Sequence, residues 1–150
     1  MAQPKYLISA CLCGICSRYD GGSFDYPALR QLAEVGLAVP FCPECAGGLS
    51  TPRKPCEICG DRVLTADGDD CTAQYRRGAE RALETCREHG LTAAILKEGS
   101  PSCGSCRIRD GSHTGRKIPG MGVTATLLAQ SGIALYSEER LPPGIDLDSP

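Results

Sequence analysis

The stretch TAQYRRGAERALETCREHGLTAAILKEGSPSC, residues 72 to 103, contains a change of period that decides the fold. Tyr75, Ala79, Ala82, Leu83 and Cys86 recur at spacings of four, three, one and three, which places them on one face of a helix. Asp69 or Asp70 can cap the first amides of that helix, and Gly90 stands where a left-handed C-terminal residue is wanted. Beyond Gly90 the pattern shortens to an apolar run over residues 93 to 97 that stops at Gly99, Ser100 and Pro101, the signature of a buried strand. A cysteine, Cys103, follows at once.

The same grammar extends outward in both directions. Residues 5 to 10, 37 to 41 and 133 to 136 are further short apolar runs bounded by Gly, Pro or Ser, and they predict three more strands. PALRQLAEVG predicts a helix with Pro27 in its first turn and Gly36 after its last, and GVTATLLAQSG predicts another that ends at Gly132. Strands that alternate with helices imply an α/β fold: a single compact domain with a mostly parallel sheet and helices on both faces. The 150 residues suit one domain over residues 1–150, with a core from about 5 to 138 and a tail, LPPGIDLDSP, from 141 to 150. The Gly-, Pro- and charge-rich segment from 47 to 70 reads as a long ordered loop.

The formal charge of -2, with both signs mixed along the chain, gives no reason to expect a nucleic acid as the main partner. MAQPKYLISAC has too short an apolar stretch for a signal-peptide core or a membrane span, so the expected location is the cytoplasm, away from any membrane. Eleven cysteines in a reducing compartment do not make a disulfide framework, and an odd number leaves one unpaired in any case. Metal or redox chemistry is the better expectation.

Three of the four strand patterns end in a cysteine: YLISAC at Cys11, GLAVPFC at Cys42, and AAILKEGSPSC at Cys103. Ligand sites of parallel sheets lie at the carboxyl ends of the strands, so these three thiols can converge there although they are distant in sequence. Four pairs also have the C-x-x-C spacing: Cys13 with Cys16, Cys42 with Cys45, Cys56 with Cys59, and Cys103 with Cys106. Two such knuckles can close one tetrahedral zinc site, which makes a zinc-stabilised structural or interaction domain the alternative function class. Structural zinc, however, mostly supports folds that cannot form without it, whereas this chain has helices and strands enough to fold alone. Three thiolates, one from each strand end, would hold a 4Fe-4S cluster by three irons and leave the fourth open to a soft sulfur atom. A dithiol oxidoreductase is a third class, disfavoured because the pairs read as lying in loops.

The strings ISACLCG, RYDGG, CPECAGGLSTPR, EICG, AILKEGSPSCG, RDG and PGMGVTATLLAQSGI, taken in order, resemble the thiouracil desulfidase family over about Ile8 to Glu138. The resemblance implies a 4Fe-4S cluster held by three cysteines, matched here by Cys11, Cys42 and Cys103, the three that strand ends had also singled out. It implies non-redox desulfuration of a thiolated pyrimidine such as thiouracil, in which an open iron takes the exocyclic sulfur, water replaces it, and sulfide and the oxo base leave. Ser17 stands where many members have a cysteine before RYDG, and Arg109 where an aromatic is usual. Cys13, Cys45, Cys59 and Cys106 are additional to the pattern.

Within that resemblance, Glu44 is the candidate general acid or base, being two residues from a ligand cysteine. Ser100 and Ser102 flank Pro101 beside Cys103, and either hydroxyl could orient substrate or water. Arg18 and Tyr19 are candidates for binding the base by hydrogen bonding and stacking, with Asp20 in a structural turn. PGMGVT is at most a weak glycine-rich anion site. Without a lysine-rich or RGG-like arm, the expected partner is a small thiolated nucleobase or nucleoside rather than tRNA.

Overall fold

The computed structural model describes residues 3–24 and 26–145. Along the chain run β1 (Tyr6–Ser9), a 3-10 turn (Ala10–Leu12), α1 (Pro27–Glu34), β2 (Ala38–Phe41), α2 (Pro43–Ala46), β3 (Cys56–Cys59), β4 (Arg62–Thr65), α3 (Thr72–His89), β5 (Ala93–Leu96), β6 (Arg107–Arg109), β7 (Lys117–Pro119), α4 (Val123–Gln130) and β8 (Ala134–Ser137). The four expected strands form one parallel sheet in the order β2-β1-β5-β8. Its two central strands, β1 and β5, are buried throughout, as a sheet covered on both faces requires.

The covering helices arise where the periodicity placed them. Every residue of the expected stripe on α3 is buried, together with Gly78. Thr72 donates its backbone N–H to Asp70 Oδ1 at 2.9 Å, and Gly90 closes the helix with φ of 65°. Ala82, Leu83 and Cys86 of α3 and Ala125 and Leu128 of α4 pack with Leu7, Ala94 and Leu96 on one face of the sheet. Leu29 of α1 packs with Tyr6, Ile8 and Ile95 on the other. Each large aliphatic side chain buried in these layers is worth about 1.5–3 kcal/mol relative to exposure.

The segment from 47 to 70 is not a plain loop, contrary to expectation. It folds back on itself as an antiparallel hairpin, β3 with β4, with Cys56 opposite Thr65 and Cys59 opposite Arg62. Gly60, at φ of 66°, and Asp61 form the two-residue turn. Cys56 and Val63 of the hairpin cluster with Tyr75, tying it to α3. A second antiparallel hairpin, β6 with β7, carries Arg109 opposite Lys117. Leu141 and Ile145 pack against the α1 side of the core, and residues 146–150 of the expected tail lie outside the described residues. No helix among the described residues is long and apolar enough to cross a membrane.

Candidate active site

The parallel register brings Ser9 of β1 level with Phe41 of β2, and Ile8 level with Ile95 of β5, so three strands release the chain at one edge. Cys11 follows in the 3-10 turn, Cys42 is the residue immediately before α2, and Cys103 lies in the turn after β5. All three line one cavity of about 240 Å³, together with Glu44, Ser100, Arg18 and Tyr19. The sheet thus assembles residues that are far apart in sequence.

These thiols stand in an environment that resists unassisted ionisation. Burial, with Cys42 adding to it, pushes Cys11 up to about 12. Burial likewise pushes Cys42 up to about 11, although the Cys45 amide opposes the shift. Cys103 is raised by burial and by Glu44, Cys11 and Cys42, with only the Ser9 hydroxyl working the other way. A metal centre is what converts such thiols into thiolates, because it supplies the positive charge that the protein withholds. Lys97 and Arg18 lie close enough to Cys11 to favour its anion, and would offset part of the negative charge of a thiolate-held cluster. Thiol donors of this kind fit an iron–sulfur cluster.

Zinc knuckles fit less well. Cys13 is buried under α1 with its thiol toward the Leu29 carbonyl, whereas Cys16 is exposed. On β3, Cys56 lines the cavity, whereas Cys59 points to the Gly111 carbonyl at 3.5 Å, as three-residue spacing on a strand dictates. Cys103 is buried and Cys106 exposed. Only Cys42 and Cys45 stay together, both against the Ser17 carbonyl, with Cys45 turned to Thr51 and Arg53. Among the described residues, no three Cys, His, Asp or Glu side chains are arranged to share a single metal ion.

Glu44 sits in the first turn of α2, at the centre of a hydrogen-bond network. Its Oε1 accepts from Arg53 Nε at 3.0 Å and from Tyr75 Oη at 2.9 Å. Its Oε2 meets only Ser100 Oγ, at 3.5 Å, among the described residues. Ser100 Oγ in turn accepts the backbone N–H groups of Ser102 and Cys103, both at 3.1 Å, so it shapes the turn that carries Cys103. Ser102 behaves differently from its neighbour: it is fully buried, its hydroxyl pairs with Thr124 Oγ1 at 2.7 Å, and it does not line the cavity. The carbonyls of Pro101 and Ser102 also take the first amides of α4, so the Val123 and Thr124 amides of the PGMGVT turn are already engaged.

Arg18 and Tyr19 reach the cavity from the loop after Cys11. The Arg18 guanidinium lies 4.4 Å from the Phe24 ring centre and 5.7 Å from that of Tyr19, and pairs with Asp20 at 3.3 Å. Asp20 also accepts the Gly22 N–H, so its role in the turn is the structural one expected, although the ion pair is half-exposed rather than buried. Glu98 fixes the opposite wall. It is 3% exposed and accepts the N–H groups of Ser105, Cys106 and Arg107 and the Ser105 hydroxyl. Burial alone would raise its pKa, but these donors together hold it below the ordinary carboxylate value.

Arg53, Tyr75, Lys97 and Cys56 also line the cavity, and none was expected there. Arg53 was visible within the quoted string CPECAGGLSTPR, but its partners come from three segments: Glu44, the Ser50 and Ser17 carbonyls, and Thr51. Tyr75 sat in the helix stripe, where an aromatic reads as core.

The sequence profile of a family described as 2-thiouracil desulfurase matches residues 6–140. The chain is 44% identical over 145 residues to the uncharacterized protein YbbK of Bacillus subtilis (strain 168), covering 90% of this chain and 96% of that protein. Among solved structures it is similar to a [4Fe-4S]-dependent thiouracil desulfidase, TudS, with a TM-score of 0.88 and 49% identity over 93% of each chain.

Proposed function

The chain belongs to the 2-thiouracil desulfurase family, and from that footing we propose that it is an iron–sulfur-dependent desulfidase acting on a small thiolated pyrimidine such as thiouracil. The observation that carries the proposal to particular residues is the convergence of three cysteines, Cys103 buried and Cys11 and Cys42 half-buried, and one hydrogen-bonded carboxylate on a single cavity at the carboxyl ends of the sheet. Cys11, Cys42 and Cys103 would hold a 4Fe-4S cluster. Bound there, the cluster supplies an iron without a protein ligand, a soft Lewis acid for the exocyclic sulfur of the substrate.

The remaining work falls to the protein. In the net reaction a carbon–sulfur double bond gives way to a carbon–oxygen one, and the two protons of water leave with the sulfur as hydrogen sulfide. Nothing is oxidised or reduced. Glu44, through Oε2, would take a proton from the attacking water and return it to the departing sulfur or to a ring nitrogen, a role supported by Ser100 being the one contact of that oxygen among the described residues. Ser100 holds that oxygen's side of the cavity. Arg18, stacked on Phe24, and Tyr19 would confine the flat face and polar edge of the base. The cavity, at about 240 Å³, would have to take the cluster as well as the substrate and already falls below the range of about 300–1,000 Å³ usual for drug-sized ligands, which favours a single ring.

Anaerobic reconstitution with iron and sulfide tests the proposal. The expected product is a brown protein that binds iron and acid-labile sulfide and converts thiouracil to uracil with one sulfide released per turnover. A colourless zinc protein that takes up no iron, or an iron-loaded protein inert toward thiouracils, would overturn it.

A further inference from the structure

The carboxylate of Glu44 has two oxygens in unlike situations. Oε1 receives both Arg53 Nε and Tyr75 Oη, which use both of its lone pairs, whereas Oε2 faces Ser100 across 3.5 Å. We propose that Tyr75 and Arg53 are positioning residues for the desulfuration, clamping Oε1 so that Oε2 is the oxygen of Glu44 left to meet the reacting water. This rests on the catalytic assignment of Glu44 made above.

Three features make the clamp directional. Tyr75 is 1% exposed and belongs to the rigid first turns of α3, so its hydroxyl has little freedom to swing. Burial, reinforced by Glu44 and Cys56, raises its pKa, and the phenol keeps its proton and remains a donor. Arg53 is held by four acceptors besides Glu44: the carbonyls of Ser17 and Ser50, the Thr51 hydroxyl and the Cys45 sulfur. Its guanidinium therefore presents Nε to Glu44 from a fixed frame, and rotating the carboxylate by half a turn would only exchange the labels of its oxygens. Either way one oxygen is saturated and the other is not. A general base that must reach one water gains from this, since a small misplacement of a catalytic group has a large effect on rate.

The test is a double-mutant cycle on the cluster-loaded enzyme. Tyr75→Phe keeps the ring and removes one donor; its expected effect is a fall in kcat of roughly 10-fold with KM, iron, acid-labile sulfide and the visible absorption of the cluster unchanged. Arg53→Lys should show the same split between kcat and KM. In a Glu44→Gln background, Tyr75→Phe should cost no more than about twofold, because its effect passes through the carboxylate already lost. Equal losses in both backgrounds, or wild-type kcat in Tyr75→Phe while Glu44→Gln is slow, would overturn the clamp and leave the role of Glu44 standing. Wild-type kcat in Glu44→Gln would remove the catalytic role of Glu44 and the clamp with it.

Discussion

Gly78 in α3 lies so close against Pro43 of α2 that a Cβ added to it would fall 2.0 Å from the Pro43 carbonyl oxygen. The contact is reciprocal, since a Cβ on Gly47 would fall 2.0 Å from the carbonyl oxygen of Gln74. Two backbones thus touch without side chains between them. This approach brings Glu44, one residue past Pro43, within hydrogen-bond reach of Tyr75, one residue past Gln74.

Gly78→Ala is accordingly expected to destabilise the protein, despite the roughly 1 kcal/mol by which Ala is the better helix former. Overpacking of this kind costs about 1–3 kcal/mol, and here it meets backbone, which cannot swing aside. Urea unfolding of the metal-free protein measures the loss, and iron retention should fall with it because Cys42 immediately precedes α2. A variant as stable as the parent would show that α2 shifts freely.

Replacing Cys11, Cys42 or Cys103 singly by Ser should abolish iron and acid-labile sulfide retention under anaerobic conditions. Cys86→Ala should keep both, with a stability loss of about 1–2 kcal/mol, since that thiol is buried in the core and does not line the cavity. Normal iron in any of the three Ser variants would remove that residue from the ligand set.

Ser100→Ala and Ser102→Ala should separate cleanly. Loss of Ser100 leaves the amides of Ser102 and Cys103 without their acceptor and Oε2 of Glu44 without its neighbour, so turnover should fall by roughly 10-fold or more. Loss of Ser102 strands the Thr124 hydroxyl in the core and should cost about 1–3 kcal/mol of stability with kcat near the parent value. A kinetic defect confined to Ser102→Ala would reverse the two assignments.

Glu98 predicts an acid limit on stability. Its folded pKa is below the ordinary value of 4.5, so its contribution is complete above about 4.5 and is lost as pH falls through the lower folded value. Glu98→Gln should cost on the order of 2 kcal/mol at neutral pH, because an amide cannot serve all the donors that converge there. The gap between parent and variant should stay constant above pH of about 5 and shrink in acid, as followed by urea midpoints against pH. A gap independent of pH down to acid unfolding would contradict it.

The choice between a small thiolated base and thiolated tRNA is open to direct competition. With a charge of -2 and both signs mixed along the sequence, kcat/KM for 2- or 4-thiouracil is expected to exceed that for thiolated tRNA at equal ionic strength. A clear preference for the tRNA would change the substrate and leave the cluster chemistry as it is.

The parallel sheet was legible because apolar runs such as AAIL are buried on both faces and end at Gly, Pro or Ser. The hairpins were not, since their strands are short and carry charged residues such as Arg62, Arg109 and Lys117 at their ends, so turn signals such as Gly60–Asp61 and Asp110–Gly111 had no clear apolar runs beside them. That Cys11, Cys42 and Cys103 share one cavity could be read from their place after strands. Arg53 and Tyr75 could not, because what makes them part of the site is the meeting of a loop and a distant helix around Glu44. Ser102 shows a different limit: neighbours in a turn point opposite ways, and spacing does not say which hydroxyl faces the cavity.

The hydrogen bonds that converge on Glu98 have a consequence for the life of the protein in the presence of oxygen. They shape the turn from Gly99 to Arg107, Cys103 included, out of the chain's own atoms. A mould built this way would outlast its casting. Oxidative damage that dissolves the inorganic core would leave an intact, refillable vessel, and recovery would draw on the cell's supply of iron and sulfur rather than on new synthesis of the polypeptide.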